Sequence, residues 1–316
     1  MLSTSQLTGV TSTQLSALTA PQMVSLSLTV IYDLTTTQFG GLTATDFGDL
    51  TATQVNALTT TNVQELTTTQ LDGLTPTQLG AISTTSFAVL TSTQLGSLET
   101  TQLTQLKTTN IAALSTTQLA GISATQISGL TSPQFNALTT TSIAELTTVQ
   151  LDGLTTTQAA GFETTDFAAL TTTQLESFET TQLAAINTPS IGIMSTTQLH
   201  GLTSTLIAAL TAPQVASLST TNIPELDTTQ FGALLPVQIG GLTPAQIVAL
   251  TTTQASSFTP GQIPGLTNLA IASFTTTQIT VLTTTELGAM NGSQAGAFSF
   301  AQLSVMTTTQ LAAIGM

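Results

Sequence analysis

The sequence predicts an all-α solenoid: a superhelix of very short capped helices, one for each eight-residue repeat, with about 3.3 repeats per turn. Three observations predict it. From Ser3 to Ile314 the chain divides into 39 octads without insertion or deletion (39 × 8 = 312). Each octad opens with residues that start helices. The prolines fall mostly where the first turn of a helix tolerates them.

Position one of the octad is Ser, Thr, Asn or Asp in 34 of 39 repeats, and position four is Gln in 27. Positions five and eight are apolar throughout, from Leu7 to Leu311 and from Val10 to Ile314. The stretch Thr67–Ile82, TTTQLDGL TPTQLGAI, shows the pattern twice. A Ser or Thr followed three residues later by Gln is a capping box, in which the hydroxyl accepts from the N3 backbone N–H and the Gln reaches back to the N-cap N–H. The apolar residue closing one octad then lies at N′ and the apolar fifth residue of the next at N4, forming a hydrophobic staple.

Proline is tolerated at N1 and N2 and costly deeper in a helix. Pro76, Pro236, Pro244 and Pro260 stand at position two, and Pro21, Pro133, Pro189 and Pro213 at position three. Pro224 and Pro264, at position six, predict locally distorted turns. Recurrent starts, prolines and abundant Thr exclude one continuous helix. A β-solenoid is the alternative, since Thr favours strands. Inward residues of a strand should be an even number apart, however, and here the apolar spacings alternate three and five.

An 80-residue super-repeat overlies the octads: TATQVNALTTTNVQELTTTQLDGL from Thr51 returns as TSPQFNALTTTSIAELTTVQLDGL from Thr131, and more faintly from Thr211. Residues replacing Gln at position four (Val30, Asn62, Ser86, Asn110, Ser142, Asp166, Ser190, Asn222) step by three or four octads. Ten octads in three turns give that stepping, and predict a three-sided superhelix with one edge where Gln is replaced. Asp46, Leu206 and Glu286 fall outside the step; Ala270 fits it. Where position five shrinks to Ala159, Ala255 or Ala295, position eight becomes Phe162, Phe258 or Phe298, as expected if both fill one interior of fixed volume. Two buried aliphatics cannot offset the ordering of eight residues, so stability must come from stacking. Although 316 residues would ordinarily suggest two domains, residues 1–316 read as a single repeat array.

Composition narrows function. Charged residues are 5% of the chain, Cys and Trp are absent, and Lys107, His200 and Tyr32 are single. Such a chain reads as a non-enzyme with no catalytic residue, no cofactor and no metal. The net charge of −14 disfavours nucleic acid and anionic membrane surfaces as partners. A Cys-free chain leaves the redox compartment open. The opening MLSTSQLTGV lacks the pattern of a signal peptide, and no apolar run approaches the roughly 20 residues of a membrane span; no membrane insertion is expected.

The phrase LTPAQIVAL, Leu242 to Leu250, resembles the helix start of transcription-activator-like effector repeats. The likeness implies a capped helix and nothing about DNA, because the base-reading loop, the longer repeat and the basic surface of that family are missing. Over its length the chain is similar to the Leu-Thr-Thr-x-Gln tracts of large bacterial secreted or surface proteins, which implies an extracellular structural or adhesive role.

Chemistry-bearing residues are weighed singly. His200, at variable position six, has no second His or Cys and reads as a solvated substitution; Lys107 stands at an N-cap position and reads as incidental. Glu65, Glu145 and Glu225 recur at one place in the super-repeat and Asp72 with Asp152 at another. Recurrence suits a solubilising surface better than a catalytic pair or a cation ladder. Asn291-Gly292-Ser293 fits the N-glycosylation pattern.

Thr at positions two and three points away from the core. That array suits self-association of a weakly charged surface, or binding of ice or a polysaccharide. The first octad, STSQLTGV, and the last, TTTQLAAI, resemble interior ones rather than polar caps. The expectation is a structural protein assembling with itself into extracellular filaments or forming a rigid bacterial surface stalk. About 12 turns at roughly 10 Å each would make a rod about 120 Å long.

Overall fold

The computed structural model describes residues 9–316; most of the first octad, Ser3–Val10, lies outside the described residues. The chain forms two compact units, one ending at Gln158 and the other beginning at Ala159. In sequence, the octad register passes through that boundary unchanged.

Among the described residues every α-helix is four to six residues long and there is no strand, so the β-solenoid alternative is excluded. Each α-helix begins at position two, after a position-one N-cap that is extended, as at Thr67 and Thr243. In the repeat Thr68–Asp72, the Gln70 N–H donates to the Thr67 hydroxyl at 3.2 Å and the Thr67 N–H to the Gln70 side-chain oxygen at 2.9 Å. The same reciprocal pair recurs at Thr243 and Gln246. Proline behaves as its position requires: Pro76, Pro236 and Pro244 open helices. Pro224 and Pro264 convert their repeats to short 3₁₀ turns, Ile223–Glu225 and Ile263–Gly265, because a proline there has no N–H for the bond that would continue the helix.

Within each unit a helix packs on the helix three octads away. Pro76–Ala81 lies between Ala52–Asn56 and Thr100–Leu103, and in the second unit Thr188–Gly192 lies on Ala212–Ser217. Position seven of one repeat meets position two of the repeat three earlier. A Cβ on Gly73 would stand 2.1 Å from the Ala44 carbonyl oxygen, and one on Gly265 would stand 2.1 Å from that of Pro236. Position seven is Gly, Ala or Ser in 29 of the 39 octads, the residues that suit the close backbone approach at Gly73 and Gly265.

Three positions, not two, are buried. Positions five and eight supply the apolar core: Leu71, Leu79 and Ile239 are fully enclosed, and Ala255 with Phe258 and Ala159 with Phe162 are buried together. Phe258 fills the space its small partner leaves by packing edge-on against Phe231, ring centres 5.0 Å apart. Position four, occupied by Gln, is buried as deeply: Gln238 is inaccessible and Gln54 is 2% exposed.

Candidate functional surface: an amide ladder and a hydroxyl face

A helix of four to six residues has nearly all its terminal N–H and C=O groups unpaired within itself. Its ends therefore decide its stability, and the position-four Gln serves two of them. The oxygen of Gln70 accepts from its own N-cap, while its Nε2 donates to the Leu42 carbonyl, 28 residues earlier, at 2.8 Å and to that of Phe39 at 3.4 Å. Gln54 does the same with Leu26 and Met23, both at 2.9 Å. In the second unit Gln246 reaches Leu218 at 2.7 Å and Val215 at 2.9 Å.

Each amide thus closes the C-terminus of a helix four octads back while capping the N-terminus of its own. Packing at three octads together with bonding to the end of the fourth sets the turn between three and four repeats. Buried amides with both ends paired are strong contributors, and leaving either end unpaired is costly.

The residues that replace Gln are buried too, so the expected edge is an internal seam. In the first unit it holds Asn62, Ser86, Asn110 and Ser142, and in the second Asp166, Ser190 and Asn222. Asn222 is one methylene shorter than Gln, yet its amide reaches the Met194 carbonyl, 28 residues earlier, at 2.7 Å. The fit is imperfect elsewhere: Asn62 Nδ2 and Ser190 Oγ are buried without a hydrogen-bond partner.

The outer surface is hydroxyl-rich. Position three, mostly Thr, is exposed in every described octad, and position one in most. The recurrent carboxylates Glu65, Glu145, Glu225, Asp72 and Asp152 are all exposed, and no group of three or more His, Cys, Asp or Glu that could hold a metal occurs among the described residues. No helix of the described residues is long and apolar enough to cross a membrane.

Two singletons acquire neighbours that sequence reasoning did not give them. His200 Nε2 lies 2.8 Å from the Glu225 carbonyl oxygen and 3.5 Å from its carboxylate, three octads on. Both side chains are about half exposed, so the pair contributes little. Lys107 Nζ donates to the carbonyls of Ala81 and Ile82 at 3.3 and 3.4 Å. It occupies an N-cap position but closes a helix end in the neighbouring turn, a role a cation suits at the negative end of a helix.

Asn291 of the glycosylation pattern is an N-cap whose Oδ1 accepts from the Gln294 N–H at 3.0 Å, and Ser293 accepts from Asn268. A shallow depression of about 500 Å³ is bordered by Leu28, Tyr32 and Leu58; it gathers no ionisable group besides the tyrosine.

Residues 95–132 and 105–140 match the family model of the ALTTAQ repeat. Together these cover 46 of the 316 residues (140 − 95 + 1). The six letters correspond to positions seven and eight of one octad and one to four of the next, as in Ala113–Gln118, ALSTTQ. They are the close-contact residue, the core residue, the cap, the first turn and the bridging Gln. A comparison with the curated proteins finds no match.

Proposed function

We propose that this chain is a non-enzymatic structural protein, a stiff repeat spacer that associates with copies of itself in filaments or in the stalk of a bacterial surface structure. The observation that carries this reading is the amide ladder. It ties turns together through main-chain carbonyls at most repeats, so that bending or stretching a unit must break buried hydrogen bonds in series.

Two further features support it. At Gln14 and Gln22 the side-chain oxygen caps its own helix, but the amide nitrogen donates to no described residue. The carbonyls of Met290, Phe298 and Met306, the equivalents of those that receive an amide elsewhere, receive none. A second copy, or further octads, brought against either face would find complementary donors and acceptors. An extracellular, bacterial setting is supported by the likeness to secreted repeat tracts and by a chain with only Lys107 to offer a trypsin-like protease. The exposed Thr positions favour a second reading, a face that binds ice or polysaccharide.

Electron microscopy over a concentration series separates these. Filaments of uniform width that lengthen with concentration support self-assembly. Monodisperse particles at every concentration, with thermal hysteresis or glycan retention by the monomer, would replace it with the binding reading.

A further inference from the structure

Glu286 occupies position four of the octad Thr283–Met290, the place held by Gln in 27 repeats. It is 2% exposed. One carboxyl oxygen does what the Gln oxygen does and accepts from the Thr283 N–H at 2.6 Å. The other, Oε1, is buried with no hydrogen-bond partner. By the register of most intact rungs, such as Gln254 on Leu226 and Ile223, this atom takes the place of the amide nitrogen that would donate to residues 28 and 31 earlier, Phe258 and Ala255. Neither of those carbonyls receives a hydrogen bond from any described residue. An acceptor without a donor therefore stands where a donor is required, opposite acceptors without donors.

One proton resolves two of these three mismatches, the orphaned oxygen and the Phe258 carbonyl. We propose that Glu286 is held as the neutral carboxylic acid and uses its O–H as the rung of the ladder, donating to the Phe258 carbonyl, so that this joint closes when protonated and loosens on ionisation. The surroundings agree. Burial raises the carboxyl above its ordinary value; the hydrogen bonds with Thr283, and the nearby Phe258 backbone, which favours the ionised form without bonding Oε1, oppose this only in part.

No other charge intervenes. From Thr228 to Met316, Glu286 is the only ionisable side chain, so the helix Thr308–Ala313 packed on its own and the octads around Phe258 present none to it. The direction follows. Below the ordinary Glu value of 4.5 folded and unfolded chains are both protonated and the rung is fully present. Above it the unfolded chain ionises first, and the contribution drains away until the pH passes the raised value of the folded state.

Glu286→Gln supplies the residue used at this place elsewhere and should fold. Hydrogen exchange of the amides of 255–259 and 283–290 is followed in both proteins from acid to mildly alkaline pH, and the wild-type rate is divided by that of the variant to cancel intrinsic exchange. The expected ratio is near one at the acid end and rises by up to about tenfold per pH unit, the limit for one proton. Infrared spectra at neutral pH should show a buried neutral carboxyl band that the variant lacks. A ratio flat across the range, or a neutral-pH spectrum in which Glu286→Gln removes only carboxylate absorption, would overturn the proposal.

Discussion

The side-chain amide of Gln70 ends on the main-chain carbonyl of Leu42, 28 residues earlier and 2.8 Å away, while its oxygen caps the helix that Gln70 itself begins. One side chain thus couples two helix ends that no local interaction could join. Its removal should be felt at both.

Gln70→Ala is expected to destabilise the first unit by about 2–4 kcal/mol, since it deletes the cap acceptor and leaves buried carbonyls and an N–H unpaired. Chemical denaturation measures this. A loss under about 0.5 kcal/mol, the size of an ordinary surface change, would show that the ladder is not what holds the turns. Gln70→Glu keeps the cap acceptor and should be tolerated better at low pH than at high pH.

Gly265→Ala should cost about 1–3 kcal/mol, the usual range for overpacking, because its Cβ would collide with the Pro236 carbonyl oxygen at 2.1 Å. Gly40→Ala is the control. Nothing lies within 4 Å of its Cβ, and the exchange should be neutral or stabilising by up to about 1 kcal/mol. Equal effects at the two sites would remove the argument for close approach at position seven.

Ala255→Leu should destabilise the second unit by about 1–3 kcal/mol while Phe258 remains. Combining it with Phe258→Leu should restore part of the loss, giving a coupling of about 0.5–3 kcal/mol in a double-mutant cycle. Additive losses would mean that the two positions fill separate spaces.

Trypsin should cut the unfolded chain once, after Lys107, and cut the folded protein far more slowly, since the Lys107 ammonium is held by the Ala81 and Ile82 carbonyls. Mass spectrometry of a timed digest reads both. Cleavage of the folded protein as fast as the unfolded would place that segment outside the ordered ladder.

The helix starts, the tolerated prolines, the two 3₁₀ exceptions at Pro224 and Pro264 and the paired volumes of Ala255 and Phe258 were legible in the sequence, because each is decided within one octad. The second contact of Gln was not. Its acceptors are main-chain carbonyls 28 and 31 residues away, which leave no mark on side-chain choice. A trace existed nonetheless. A capping box accepts Glu as readily as Gln, yet position four is Gln in 27 octads and Glu only at Glu286, a bias that caps alone cannot produce and a donating amide can. The small residues at position seven carry similar information about a neighbour three octads off. The meeting of His200 with Glu225 depends on the pitch of the coil, which the sequence constrains only through its departures from Gln.

Because each rung lands on a carbonyl, a group every residue owns, the joint does not care which octad lies beneath it. Gaining or losing eight residues through recombination would leave each amide with an acceptor, so copy number can drift without rebuilding the fold. The seam of Asn and Ser is less forgiving: its members must return to the same side of the coil. Ten octads is a step that restores that phase, and it is the length of the super-repeat.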